Sequence, residues 1–113
     1  ILTDPMFSNR ASPLAFSGPK RVAPPARSLE ALPPIDVVLI SHAHYDHLDM
    51  PSLRRLAELQ PDIKVLAPLG VGRYASDAGF ANVTELDWWQ DATLGYMTVT
   101  ANTGASLGFA LAL

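Results

Sequence analysis

All three histidines of this 113-residue chain fall within six consecutive positions, in the run Ser41-His42-Ala43-His44-Tyr45-Asp46-His47. Directly ahead of them stands Asp36-Val37-Val38-Leu39-Ile40, a short, largely apolar run rich in β-branched residues. Such a run is expected to be a strand buried on both faces, as in a sheet covered on each side. That strand delivers the chain straight into the histidine cluster.

Neutral imidazoles and one carboxylate, with no cysteine anywhere in the chain, suit zinc and also manganese or iron; a set of three or more such ligands with an open position is a catalytic kind of site. In a turning loop His42 and His44 can converge on one ion, while Asp46 and His47 point to a second. Paired ions of this sort sit about 3.5–4 Å apart, and zinc brings the pKa of a bound water to about 7, low enough for attack on a phosphoryl or carbonyl centre. Asp46 is the candidate catalytic residue, as ligand and as orienting group. The bland alternative, a solvated or hydrogen-bonded histidine cluster, suits a lone histidine better than three in six positions.

Around the loop, strand and helix signals alternate. Ile1-Leu2-Thr3 reads as the end of a strand halted by Asp4-Pro5. Residues 8–34 hold six of the ten prolines together with Gly18, Arg10, Lys20, Arg21 and Arg27, the makings of a long irregular segment. Asp49 can cap a helix with Pro51 in its first turn, whose apolar stripe is Leu53, Leu56 and Leu59, and Pro61 ends it. Residues 64–67 read as a strand, 70–78 as a helix closed by Gly79, 82–86 as a strand, and 96–100 as another, interrupted at Asn102-Thr103-Gly104. This alternation predicts an α/β fold.

Composition limits the partners. A net charge of −3 and a pI near 5.4 give no overall attraction to nucleic acid, so anion or lipid binding would need a local basic patch. Without cysteine there are no disulfides, which is compatible with the cytoplasm. No apolar run approaches the roughly 20 residues that span a bilayer, and no signal-peptide pattern opens the chain.

The histidine loop resembles the His-x-His-x-Asp-His signature of the metallo-β-lactamase superfamily. The text around it narrows the likeness. Leu2-Thr3-Asp4-Pro5, Phe7-Ser8, Arg10-Ala11-Ser12-Pro13, Gly18-Pro19-Lys20-Arg21, Leu32-Pro33-Pro34-Ile35-Asp36, Pro68-Leu69-Gly70 and Glu85-Leu86-Asp87-Trp88-Trp89 are similar to the N-acylphosphatidylethanolamine-hydrolysing phospholipase D family. The resemblance implies the amino-terminal part of an αββα four-layer sandwich with metals at its β-edge. It assigns His42 and His44 to a first zinc, Asp46 and His47 to a second, and implies hydrolysis of a small-molecule or phospholipid phosphodiester, with peripheral membrane contact as an open option. Lactonases share the broader architecture, and Leu48 stands where other branches commonly carry glycine.

The likeness stops after Ala101. The family continues from its strand into Thr-Pro-x-Gln-His, whereas this chain reads Asn102-Thr103-Gly104-Ala105-Ser106, and no histidine follows His47. With about two ligands per ion, the chain alone is expected to bind zinc weakly and catalyse poorly. Residues 1–101 are therefore expected to be the amino-terminal part of the hydrolase domain, with a start that looks cut at Ile1. Residues 102–113 are expected to be a divergent tail, read as frameshifted, with a natural apolar strand as the alternative. A partial sandwich exposes strand edges, so homodimerisation is a further expectation, and a non-catalytic fragment or interaction protein is the competing function.

Three further features can be read two ways. Lys20 and Arg21 are candidate contacts for a substrate phosphate, or else a solvated turn. Tyr45 is a candidate substrate contact, or packs the loop onto the fold. Trp88-Trp89 is expected to place at least one ring in the core, with a membrane-interface anchor as the alternative.

Overall fold

A computed structural model describes residues 1–102 and 108–112. Four parallel strands form the first sheet in chain order, β1 (Leu2–Thr3), β2 (Val37–Leu39), β3 (Lys64–Pro68) and β4 (Asn82–Leu86). Leu2 pairs with Val38, Val38 with Val65, and Val65 with Val83. Parallel neighbours need crossover connections; helix α1 (Met50–Leu59) supplies the one from β2 to β3, and α2 (Gly72–Ala78) the one from β3 to β4.

Alternation along the strands sends their side chains to two separate cores. Val38, Ile40, Val65 and Ala67 pack under the helices with Leu53, Leu56, Ala75 and Phe80. Val37, Leu39, Leu66 and Leu86 face the other way, against Val99 and Ala101. Both faces of β2 and β3 are thus covered, which is why their sequences are apolar without interruption.

Helix α1 begins beside Asp49, yet the Asp49 side chain does not cap it. Its carboxylate instead accepts the Ser8 N–H at 3.1 Å, the Ser8 hydroxyl at 2.8 Å and the Ser52 hydroxyl. Helix α2 starts at Gly72, two positions after the expected Gly70, because a turn closed by Val71 N–H to Pro68 C=O at 3.0 Å comes first. It ends where Gly79 takes φ 115 and its N–H reaches Ala75 and Ser76 carbonyls, a left-handed cap that favours glycine.

The second sheet is antiparallel, in the order β5 (Asp91–Leu94), β6 (Met97–Asn102), β7 (Gly108–Ala112). Strand β5 is absent from the sequence expectations, and Tyr96 belongs to the two-residue turn rather than to the strand. Leu94 pairs with Met97 across Gly95 at φ 62, the positive φ that a tight hairpin needs at its first central residue. Nor does Asn102 interrupt β6, since it pairs with Gly108. Of the expected tail, residues 103–107 and 113 lie outside the described residues.

Helices, parallel sheet and antiparallel sheet make three successive layers. This is a mixed α/β arrangement, as the alternating strand and helix signals predict. Among the described residues no helix is long and apolar enough to cross a membrane.

Candidate metal centre

Where β2 ends, the chain turns at the carboxyl edge of the parallel sheet. Ile40 N–H still bonds to Leu66 C=O at 2.9 Å, and the next residues leave the ladder. The His44 carbonyl then accepts both His47 N–H at 2.9 Å and Leu48 N–H at 2.6 Å, closing a turn that buried Leu48 anchors. Residues 43–46 are left exposed at its crest.

One potential ligand atom from each of His42, His44 and Asp46 lies within 4.8 Å of the others. A tetrahedral zinc with bonds of about 2.0–2.1 Å holds its donors roughly 3.4 Å apart, so small rotations of these side chains suffice to close on one ion. His47 completes the cluster: its ring centroid is 4.0 Å from that of His42, and its Nε2 is 3.4 Å from Asp46 Oδ2. Asp46 therefore stands between the His42–His44 pair and His47.

Asp4, which the sequence reading treated only as a turn residue, organises this cluster. It follows β1 with φ 42, a left-handed conformation that Asp tolerates better than most residues. Its Oδ1 accepts Ser41 N–H at 2.7 Å, and its Oδ2 accepts the Ser41 hydroxyl at 2.6 Å. Having given its proton to Asp4, the Ser41 oxygen must accept from His42 Nδ1, 2.8 Å away. Asp4 Oδ2 also lies 2.9 Å from His47 Nδ1. Both rings are thereby held as Nδ1–H tautomers with the Nε2 lone pair free, the state a metal requires.

The donor set fits a cation on chemical grounds. His47 Nε2 and Asp46 Oδ2 lie 3.4 Å apart, a spacing at which an imidazole and a carboxylate can both reach one divalent ion. Burial, chiefly, lowers the His42 pKa below the usual 6.5; His47 and His44 add to the effect and Asp4 and Asp46 oppose it. A ring that resists protonation stays available as a ligand.

The remaining candidate residues lie close by. Tyr45 is 56% exposed and lines a cleft of about 420 Å³ with Ala11, Pro19, Ala43, His44 and Asp46. Lys20, next to Pro19, is exposed. The Arg21 guanidinium donates to the backbone carbonyls of Ser8, at 3.2 Å, and Met6. Trp88 and Trp89, at least one of which is expected in the core from the sequence, are 62% and 67% exposed. The turn after β4 holds them out: Trp89 has φ 65 and its N–H bonds to Ala101 C=O at 2.7 Å.

Comparisons with known proteins identify the family of the chain. The family model described as "Beta-lactamase superfamily domain" matches residues 1–108. The chain is 42% identical over 97 residues to N-acyl-phosphatidylethanolamine-hydrolyzing phospholipase D 1 of Caenorhabditis elegans, covering 81% of this chain and 27% of that protein. It is 45% identical over 101 residues to an uncharacterised protein of Mycobacterium tuberculosis, again covering 27% of it. Among solved structures it resembles CmlA, a diiron beta-hydroxylase from Streptomyces venezuelae, with TM-score 0.57 and 29% identity over 64% of this chain and 15% of that one. The chain thus spans about a quarter of the length of the curated relatives it matches.

Proposed function

This chain belongs to the β-lactamase superfamily, and from that premise we propose that its carboxyl edge is the primary metal site of a zinc-dependent phosphodiesterase of phospholipase D type. The observation that carries the reading is the convergence of His42, His44 and Asp46 within 4.8 Å at the end of a buried strand. Likeness to a phospholipase D over 81% of the chain supports the phosphodiester as substrate class.

In this reading His42 and His44 present neutral nitrogens, and Asp46 supplies a charged oxygen that His47 faces from the other side. A divalent ion bound there supplies Lewis acidity toward the phosphoryl oxygen and an activated water at neutral pH. Asp4 and Ser41 keep the rings in the ligating tautomer. In the same reading Tyr45, on the wall of the cleft, and Lys20, the exposed neighbour of Pro19, meet the substrate.

Iron is the second reading of the metal, favoured by the likeness to a diiron enzyme and by a donor set that suits both ions. The test is hydrolysis by the purified chain loaded separately with zinc, manganese or ferrous iron, offered a chromogenic phosphodiester, an N-acylphosphatidylethanolamine and a lactone. Metal-dependent phosphodiester cleavage, slow in this chain because few ligands hold each ion and lost in His44→Ala, is the expected result. Turnover of the lactone alone would move the chain to the ester hydrolases. A folded chain that binds metal and cleaves none of the three would make it a non-catalytic interaction protein.

A further inference from the structure

Charge is divided unevenly along this chain. Residues 5–29 hold four of its eight cations, Arg10, Lys20, Arg21 and Arg27, and none of its eleven carboxylates. The same segment carries three exposed large apolar side chains, Leu14 at 48%, Phe16 at 80% and Val22 at 102%. It is a cationic, apolar-tipped stretch on an otherwise acidic protein.

The segment has a fixed base. Arg10 and Lys20 form an antiparallel bridge, Ala11 N–H bonds to Pro19 C=O at 3.0 Å, and Arg21 N–H to Asn9 C=O at 2.8 Å. The Arg10 guanidinium donates to Gly18 C=O at 2.7 Å. Gly18, at φ 99, passes so near Ser12 that a Cβ would stand 2.6 Å from the serine's own. Residues 13–17 project from this base, all exposed. Ala11 and Pro19, at its foot, wall the cleft beside His44 and Asp46. The parallel register also sets Trp88 and Trp89, just past the end of β4, on the edge that bears the metal loop.

We propose that residues 10–27 dock this protein onto an anionic lipid surface, with Leu14, Phe16 and Val22 entering the headgroup region and the metal-bearing edge facing the lipid. Exposed apolar side chains beside cations, with no carboxylate among them, match a surface that is negative outside and apolar beneath. Nucleic acid would satisfy the cations but leave the apolar tip in water. The local patch acts against the chain's net charge of −3, because screening limits the reach of distant carboxylates to about 10 Å.

Docking rests on the phospholipid reading for its purpose, but is measured without metal or turnover, so either can fail alone. The full chain is sedimented with vesicles of phosphatidylcholine, with and without phosphatidylserine. Binding should require phosphatidylserine, weaken about fivefold in Arg27→Gln, weaken more than about tenfold in Phe16→Ser, and fall with added salt. Brominated lipid should quench Trp88 and Trp89. Both substitutions are at exposed positions, and circular dichroism checks that the variants stay folded. No vesicle binding by the folded chain, binding unchanged in Phe16→Ser, or equal affinity for a DNA oligonucleotide would overturn the proposal. Unquenched tryptophans in the bound state would overturn the orientation.

Discussion

The two edges of the parallel sheet differ in a way that size alone would misjudge. At the amino edge lies the larger cavity, about 1040 Å³, lined by Leu32, Ile35, Leu59, Met97 and their neighbours. At the carboxyl edge the cleft is about 420 Å³. Yet every histidine lies in the loop at the carboxyl edge, and Asp4, Ser41, His42 and His47 are joined there by four bonds of 2.6–2.9 Å. Chemistry follows the convergence of metal-ligating groups at strand ends, not the volume of an open groove.

This contrast can be broken first at the ligands. His44→Ala should lower zinc affinity by more than about 100-fold, beyond what supporting residues account for, with little change in melting temperature, because His44 is exposed. Calorimetric titration of both proteins measures it; equal affinities would remove the carboxyl edge from consideration.

A smaller effect belongs to Asp4. Asp4→Asn should cost about 10–100-fold in metal affinity, because an amide oxygen accepts less strongly from Ser41 and His47 and the ring tautomers are released. Nitrogen NMR of the imidazoles should show both Nδ1–H forms in the native chain and a mixture in the variant. Unaltered tautomers would mean that Asp4 only shapes the turn.

Acid supplies a third, milder perturbation. The His42 pKa is lowered, chiefly by burial, so the folded state disfavours its protonated form. The stability from this group is fully present above the ordinary value of 6.5 and is lost as pH falls through the lower folded value. Thermal melts of the metal-free chain should decline on acidification, and His42→Gln should remove part of that decline. An identical pH profile in the variant would contradict the assignment.

The smallest change is expected at the amino edge. Leu59, 37% exposed on the cavity wall, should tolerate Leu59→Ser within about 0.5 kcal/mol, as most exposed sites do, with zinc affinity unaltered. A large loss of metal binding would show that the two edges are coupled.

How much of this was legible in the sequence follows from the range of the interactions. Strand β2, the histidine loop and helix α1 are local patterns, and each is found within about a residue of its expected place. The role of Asp4 is not local: it meets Ser41 across 37 positions and His47 across 43, and nothing near Asp4-Pro5 announces this until β1 lies beside β2. Its signal was the lone carboxylate of the first 29 residues, at the end of a strand. Strand β5 was missed because Asp91-Ala92-Thr93-Leu94 is short and only half-buried, and its partner rather than its composition makes it a strand. The tryptophans were misjudged because their exposure is set by a bond from Trp89 to Ala101, twelve residues away.

The central claim is that His42, His44 and Asp46 form a metal site on this chain. It is tested most directly by zinc titration of the purified protein, with metal analysis of the product and His44→Ala alongside. The account predicts saturable uptake of zinc with histidine nitrogens in the coordination sphere, abolished in the variant. Zinc uptake that is absent from a folded chain, or that survives His44→Ala undiminished, would contradict it.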